Sequence, residues 1–391
     1  MGSKVLKGSM WALGAATLAG MMLSGCGHSI SVSGGPPAPP GPTGPEFVYV
    51  SNTGDDNISV LSVDKKTGGL TNVDQTIVEV GSGLKGIAAT KTFLYVADPT
   101  TSEIFGFVIN SKTGKLTPTA QGMFNTGAGT GPTAMSIPAG STNLYVTDFA
   151  NNQLLQFSFD KGTGALTAIG SPVATDVGPV SVAASNLGTA VFVANKTTGT
   201  ITGYTRNTNN GTLTPSGSIK SLGAAAGSPN WLAADLSGAT LYSADAFGGA
   251  GGSIVVFSIS GAQLTLNGAF STGNLAGQPL SVAVNQALPF VYSANDGNDN
   301  ASQYSIQSGG VSPAVLIPDI PSANSVISDV LGTFVYVTDN ALTDGLIFQF
   351  ALDTTTSTLS PISPGSVSTE NPPNPASNPF QIICIQEPAP S

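Results

Sequence analysis

The pattern of apolar and polar residues repeats along the chain at a nearly constant spacing. An aromatic residue, an apolar or small pair and then an Asn or Asp form a motif that occurs seven times, about 44 to 50 residues apart. The seven copies are Tyr49–Asn52, Tyr95–Asp98, Tyr145–Asp148, Phe192–Asn195, Tyr242–Asp245, Tyr292–Asn295 and Tyr336–Asp339. This period is typical of a four-stranded propeller blade. We therefore predict an all-β fold, a seven-bladed β-propeller of four-stranded antiparallel blades, over residues 46–387.

Within each repeat the chain reads as short strands joined by tight turns. Ile58–Val63, Ile104–Ile109 and Leu154–Phe159 alternate apolar and polar residues with the period of two that strands show. A Gly- or Asn-containing turn and a short Leu-Thr outer strand follow, and a Pro-led segment such as Pro179–Ala183 opens the next repeat. The segment Asn378–Ile385 is a first strand without a repeat after it. We expect it to pair with the strand at Phe47 and to close the ring, which removes exposed sheet edges.

The N-terminal residues have the pattern of an export signal. Lys4 and Lys7 precede an apolar run that ends in Leu23-Ser24-Gly25-Cys26, which resembles the lipobox of bacterial lipoproteins. This predicts a signal peptide over residues 1–25, lipidation of Cys26, a Pro/Gly-rich tether over 26–45 and a tail at 388–391. The predicted location is the cell envelope, with the lipid in the outer membrane or on the periplasmic face. Cys384 is then the only other cysteine, so no disulfide is expected.

Composition narrows the possible partners. Charged residues make up 9% of the chain and the formal net charge is -10, so no basic stripe exists that could neutralise nucleic-acid phosphates. We expect a monomer with a lipid anchor, without a cofactor, and with an unidentified protein or glycan as partner.

The motifs resemble those of a known family. The Tyr-Val-Thr-Asp copy at Tyr336–Asp339, the Gly-x-Leu-Thr outer strands and the Pro-led inner strands look like the lactonase-type seven-bladed propellers, which include 6-phosphogluconolactonase-like and YVTN-repeat proteins. The resemblance covers residues 46–387. The top face is the side of the ring that carries the loops before the inner strands and the loops after each motif Asn or Asp. The resemblance implies a binding site at the mouth of the channel on this face. In the family members that act on lactones, it also implies a set of His, Arg and carboxylate groups at that site.

The sequence departs from that chemistry. The only His is His28 in the tether, and the only Arg is Arg206, which maps to the opposite, bottom face. The predicted top loops carry many Asp and Glu residues against only Lys85 and Lys196, which would repel a phosphorylated lactone. These acidic residues also fit ordinary solvated loops.

Several residues are candidates for binding. Lys85, Asn230, Trp231, Asp148 and Asp245 lie in top-face segments, and Trp231 could either stack on a ligand or pack between blades. The seven motif Asn and Asp residues could form a ring of ligands, but an Asx-turn at a strand end requires the same side chains.

The loop that contains Asp296 and Asp299 is a weak candidate for a calcium site. Asp296 and Asp299 lie in an oxygen-rich loop but lack the closing Glu of a calcium loop.

We expect a non-catalytic binding scaffold that uses an acidic top face. The alternative is a lactone hydrolase in which paired carboxylates serve as acid and base.

Overall fold

A computed structural model describes most of the chain beyond the N-terminal segment. The described residues are 44–77, 83–222, 227–246, 251–273, 278–285, 287–297, 299–340, 345–369 and 379–386. Their regular secondary structure is entirely β-strand. Across these ranges there is no helix long and apolar enough to cross a membrane. Cys26, the predicted signal peptide, His28 and the tail fall outside them.

The strands form seven antiparallel sheets, one for each sequence repeat. The blade 1 strands contributed by the N-terminal region are Glu46–Asn52 (β1), Asn57–Val63 (β2) and Leu70–Ile77 (β3). Blade 2 contains Ile87–Ala89 (β4), Phe93–Asp98 (β5), Glu103–Ile109 (β6) and Leu116–Asn125 (β7). Blade 3 contains Pro132–Ser136 (β8), Asn143–Asp148 (β9), Gln153–Phe159 (β10), Leu166–Ala168 (β11) and Val173–Ala174 (β12). Blade 4 contains Pro179–Ala184 (β13), Ala190–Asn195 (β14), Thr200–Arg206 (β15) and Leu213–Lys220 (β16).

The remaining three blades follow the same order. Blade 5 contains Pro229–Ala234 (β17), Thr240–Asp245 (β18), Ser253–Ser260 (β19) and Gln263–Ser271 (β20). Blade 6 contains Gln278–Val284 (β21), Phe290–Asp296 (β22), Asn300–Gln307 (β23), Gly310–Val311 (β24) and Val315–Pro318 (β25). Blade 7 contains Ala323–Ser328 (β26), Phe334–Asp339 (β27), Leu346–Asp353 (β28) and Thr358–Ser368 (β29), and the final strand is Pro379–Gln386 (β30).

The final strand closes the ring as the sequence predicted. β30 pairs antiparallel with β1 along its length, from Glu46 opposite Gln386 to Asn52 opposite Pro379. The seven innermost strands, β4, β8, β13, β17, β21, β26 and β30, each contact the next in a closed cycle. The predicted all-β, seven-bladed propeller is confirmed.

The motif aromatics hold neighbouring blades together. All seven are buried, because each lies on a second strand between two sheets. The Tyr49 hydroxyl donates to the Gly114 carbonyl in the next blade at 2.9 Å, and Tyr95 bonds to Gly164 in the same way. At the closing seam, Tyr336 donates to Gly68 at 2.8 Å, so the seam repeats the contact that joins other blades.

Buried glutamines on third strands make a second type of contact between blades. The Gln156 carboxamide oxygen accepts the Leu213 N–H at 2.8 Å, and the Gln349 oxygen accepts the Leu70 N–H. Each glutamine oxygen thereby gives a hydrogen-bond partner to the backbone N–H of an outer-strand residue, which would otherwise be buried without one.

The outer strands are longer than the short segments that the sequence predicted. β3, β7, β16, β20 and β29 run for 8 to 11 residues, and the outer edges of blades 3 and 6 are split into two pieces each. A shift in register, in which one strand has an extra residue, interrupts the pairing of these outer strands with the third strands. In β16 this shift lies beside Gly217, which has a φ of 116°.

Candidate functional site

A β-bulge lies at the top of each inner strand. In β17, Pro229 pairs with Asp245 and Trp231 pairs with Ala244, so Asn230 is an extra residue with no partner in the ladder. The same irregularity occurs at the start of the other inner strands of blades 1 and 3–7. In blade 2, Lys85 and Gly86 both hydrogen-bond to the backbone of Ala97, which is the same two-against-one arrangement. A bulge turns a side chain away from the regular sheet direction.

The bulge side chains meet at the centre of the ring. They line a cavity of about 590 Å³ together with residues of the loops that follow the second strands. The seven bulge residues in this lining are Lys85, Thr133, Val180, Asn230, Leu280, Asn324 and Phe380. Pro99, Phe149, Ala150, Lys196 and Trp231 are also in the lining. We call this cavity the top pocket.

Two lysines supply all the charge of the described pocket lining. Lys85 is half-buried, and its Nζ lies 4.5 Å from the centre of the Phe380 ring, in a cation–π contact. Among the described residues, no hydrogen-bond acceptor or carboxylate partners the Lys85 ammonium. Burial lowers the pKa of Lys85 from its usual value. Lys196 is exposed at the rim.

The predicted candidates Asn230 and Trp231 also belong to the pocket. The Asn230 Nδ2 donates to the Pro279 carbonyl of the next inner strand at 2.9 Å, so this amide also braces the wall. Trp231 is half-buried: it packs against the core between blades 5 and 6 and also lines the top pocket. Packing between blades, one of the two alternatives for Trp231, is thus observed, and stacking on a ligand stays a prediction.

The structure places Asp148 and Asp245 away from the pocket lining. Both are fully buried at the ends of second strands. Asp148 accepts the Gly131 N–H at 2.8 Å and the side-chain amides of Asn151 and Gln153. Asp245 accepts the Ser228 N–H at 2.5 Å, and burial raises its pKa. Asp148 is thus occupied by the loop above it and Asp245 is bonded to its loop through one oxygen, with its Oδ2 buried without a described partner, while Lys85, Asn230 and Trp231 come together in the pocket lining.

Other motif Asn and Asp side chains also form hydrogen bonds within the loops and strand ends. The Asp98 carboxylate accepts the N–H groups of Thr100 and Thr101, as in an Asx-turn. The Asn295 amide donates to Asn300 and Ser302 on the neighbouring strand. The seven motif residues are all buried, which favours the Asx-turn and strand-end interpretation over a ring of ligands.

The expected acidic character of the top face does not extend into the pocket. Its described lining contains Lys85 and Lys196 and no Asp or Glu. The described lining therefore places positive charge nearest to a ligand, while repulsion of a phosphorylated lactone by the acidic top loops stays a prediction.

The calcium candidates are not assembled into a metal site. The Asp296 Oδ1 accepts the Gly297 N–H, and the Asp299 Oδ1 accepts the Ser322 N–H at 3.3 Å. Within the described ranges, no three His, Cys, Asp or Glu side chains converge to hold a metal ion. Asn298, between the two candidates, lies outside those ranges, so the calcium prediction stays open.

Arg206 and Cys384 have structural surroundings. The buried Arg206 guanidinium donates to the Tyr145 hydroxyl, the Gly188 carbonyl and the Asn143 side chain, on the bottom side of blades 3 and 4. Cys384 lines a second cavity of about 380 Å³ lower in the channel, and its thiol contacts the Glu46 carboxylate at 2.9 Å. Burial, followed by Glu46, raises the pKa of this thiol, so it is a poor nucleophile.

Five bulge residues of the lining were not among the predicted candidates. Each directly follows a Pro or Ala at the beginning of an inner strand; they are Thr133, Val180, Leu280, Asn324 and Phe380. The repeat position was visible in the sequence. Its orientation was not, because a bulge is needed to turn it inward.

These features define a class, a closed seven-bladed propeller with a small-molecule-sized pocket at its axis. The family model described as "Lactonase, 7-bladed beta-propeller" matches residues 46–223 and 216–361, and the chain belongs to this family. No functionally curated protein matches it by sequence similarity.

Solved structures of similar fold are distant in sequence. A Bacteroides fragilis protein provisionally assigned as a 6-phosphogluconolactonase shares 14% identity at a TM-score of 0.71, over 89% of this chain and 100% of that chain. The periplasmic gluconolactonase of Pseudomonas aeruginosa shares 14% identity at a TM-score of 0.67, over 88% of this chain and 99% of that chain. A Lactobacillus plantarum protein has 16% identity and a TM-score of 0.68, over 88% and 100%. Identities this low establish the fold alone.

Proposed function

We propose that this protein is an envelope-located binding propeller whose top pocket holds a compact organic anion, such as a sugar acid. The observation that carries the proposal is the half-buried Lys85 ammonium, which faces an apolar cavity without a described protein counter-charge. A buried cation without a partner costs free energy, which an anionic ligand would offset.

The rest of the lining fits such a ligand. Val180, Leu280, Phe380 and Trp231 give the pocket apolar and aromatic walls, which suit the C–H faces of a sugar ring. Lys196 at the rim adds a second cation for a carboxylate or a phosphate. The volume of about 590 Å³ is within the range of small-ligand sites.

Binding without turnover is preferred because the described lining lacks the usual acid–base groups. It contains no His, Asp, Glu or Cys side chain. The carboxylate pair that the sequence-based alternative required does not line the described part of the pocket, so that form of hydrolysis has no support there.

Lactone hydrolysis remains the second candidate, with a different base. Membership of the lactonase family favours it, and Lys85 is the one titratable side chain deep in the described lining. Because burial lowers the pKa of Lys85, a fraction of neutral amine could accept a proton from a water that attacks the lactone carbonyl.

The location and the further partner are also proposals. Lipidation of Cys26 would hold the propeller at the envelope, and the acidic loops outside the pocket would be the surface for a protein or glycan partner.

Ligand binding can be followed through Trp231. The other tryptophan, Trp11, precedes Cys26, so Trp231 is the only tryptophan after signal removal. We expect gluconate and 6-phosphogluconate to change its fluorescence and neutral glucose to leave it unchanged. The Lys85→Gln variant should bind gluconate about tenfold more weakly, since a charge-assisted contact is lost. Lys112→Gln, on an exposed turn, is the matched control.

The same titration has a pH signature. Binding requires protonated Lys85, so affinity should fall as the pH rises through the pKa of Lys85, which burial places below its usual value. Lys85→Arg should bind at high pH as it does at neutral pH. Equal binding of glucose and gluconate would refute the anion site. Gluconolactone turnover in a pH-stat that disappears in Lys85→Gln would establish the hydrolase instead.

A further inference from the structure

The environment of Lys85 suits covalent chemistry as well as ion pairing. Its side chain starts at the bulge before β4 and ends against the Phe380 ring, in a cavity whose walls are mainly apolar. The amine is half-buried, burial lowers its pKa, and no described carboxylate pairs with it, although the Phe380 ring is in cation–π contact with its charged form. These are the conditions under which lysine becomes a nucleophile toward carbonyl carbon.

We propose that Lys85 forms an imine with small oxo acids, molecules in which an aldehyde or ketone carbon lies beside a carboxylate. This inference rests on the proposed function, because the same pocket must first admit the anion. It adds a covalent step and a more specific ligand class. Lys196, which lines the same pocket at its rim, adds positive charge that attracts the carboxylate.

The step balances without a further reactant. The Lys85 Nζ lone pair attacks the carbonyl carbon, so that a C–N bond forms and the C–O π bond becomes a hydroxyl. The resulting carbinolamine loses this hydroxyl together with the remaining N–H proton, as one molecule of water. The net change is amine plus carbonyl to imine plus water, with no oxidation or reduction.

The pocket also explains why Lys85 should react with an oxo acid more readily than the other lysines. Lys112 and Lys161 lie exposed in turns on the bottom face, and neither is among the described residues that line the apolar cavity around Lys85. Burial lowers the pKa of Lys85, so a larger share of its amine is neutral at a given pH. Its chief competitor for an oxo acid is Lys196, which is exposed and whose role in the pocket is electrostatic.

Reductive trapping measures this directly. The full-length protein is incubated at pH 7 with glyoxylate and cyanoborohydride, which reduces an imine to a stable amine, and label at each lysine is quantified by peptide mass mapping. We expect Lys85 to carry at least about threefold more label than Lys112 or Lys161. Equal label at the three lysines would overturn the proposal.

Two variants separate the contributions to this preference. Phe380→Leu keeps an apolar side chain beside Lys85 but removes the cation–π contact that favours the ammonium, so the excess label should be kept or should rise, with circular dichroism confirming that the propeller is folded. Lys196→Gln should lower labelling of Lys85 by glyoxylate but leave labelling by propanal, which has no carboxylate, unchanged. Loss of the excess in Phe380→Leu, or an equal loss with both aldehydes in Lys196→Gln, counts against the proposed site.

Failure of the imine and failure of the anion site give different results. Gluconate that alters Trp231 fluorescence while Lys85 shows no excess label overturns the imine and retains the binding site. Excess label at Lys85 for propanal but not glyoxylate overturns the oxo-acid assignment and, together with an absence of gluconate binding, overturns the proposed function too.

Discussion

Short polar side chains at strand ends hold the top of each blade in place. The seven motif Asn and Asp residues are buried, and they bond to loop N–H groups, hydroxyls or neighbouring amides. Opposite Asn52 and Asn295 the next strand begins with another Asn, whose oxygen accepts from the first amide. The aspartates accept backbone N–H groups that water cannot reach, and the asparagines cross-link neighbouring strands through their side chains, so a residue type that suggests ligand chemistry in the sequence has a structural use here.

Turn glycines show how one residue can connect two blades. Gly114 has a φ of 72°, and its carbonyl accepts the Tyr49 hydroxyl of the preceding blade. A Cβ atom built there would lie 2.5 Å from the Phe47 ring, which packs over the turn. Gly is therefore required twice, by the backbone conformation and by the approach of the neighbouring ring.

Gly114→Ala should destabilise the propeller markedly. A left-handed residue with a side chain costs about 1–2 kcal/mol, and forcing the Phe47 ring aside adds about 1–3 kcal/mol. The measurement is the free energy of unfolding in urea. Gly122→Ala is the matched control, because Gly122 has a φ of 69° but no atom within 4 Å of the added Cβ. Equal losses in the two variants would show that the Phe47 contact contributes nothing.

At the scale of elements, the closing strand determines whether the ring exists. β30 provides the inner strand of blade 1, and it also contacts the inner strands of blades 2 and 7. The Gln381 carboxamide oxygen accepts the Ile87 N–H at 2.8 Å, and Asn324 donates to the Pro379 carbonyl. Without β30, the inner edge of β1 would be an unpaired row of backbone groups.

A chain that ends at Asn378 should fail to form a monomeric propeller. Loss of β30 exposes the edge of β1 and removes Phe380 from the pocket, so we expect association or unfolding, with complete loss of the cooperative thermal transition. Light scattering and circular dichroism test this. A chain that ends at Gln386 retains β30 and should behave like the full-length protein; similar behaviour of both truncations would mean that closure is dispensable.

At the scale of the whole molecule, charge is distributed unevenly. The formal net charge is -10, yet Lys66, Lys91, Lys112 and Lys161 are exposed in the bottom turns, and the top pocket contains Lys85 and Lys196. β1 also begins at the bottom, at Glu46. The same bottom turns also carry the exposed Asp64, Asp160 and Asp353, so the lysines form a local excess of positive charge and not a uniformly basic surface. Such an excess beside the start of the propeller suits anionic lipid headgroups.

We predict that the lipidated protein lies with its bottom face toward the membrane. On intact membranes, a membrane-impermeant amine reagent should label Lys196 several-fold faster than Lys112 and Lys161, since lipid covers the bottom turns. Cys26→Ser should release the protein from the membrane and make these lysines equally reactive. Equal labelling of top and bottom lysines in the membrane-bound protein would contradict this orientation.

The fold and the closure of the ring follow from the repeat pattern alone. Seven equal apolar repeats can bury their faces only against one another, and the unpaired first strand predicted at Asn378–Ile385, observed at Pro379–Gln386, can complete only the blade that lacks one. The strand-end side chains and the turn glycines were also legible, because their chemistry is local and depends on neighbours in the chain.

The contents of the pocket depend on tertiary contacts that the sequence pattern does not show. Lys85, Lys196 and Phe380 come from three different blades, and their meeting at the axis depends on ring closure and on bulges that turn side chains inward. The loop carboxylates outnumber the lysines in the sequence, but burial removes Asp98, Asp148 and Asp245 from the pocket surface. A count of charged residues in the sequence does not show where their side chains lie, whereas ligand binding depends on which side chains line the same cavity.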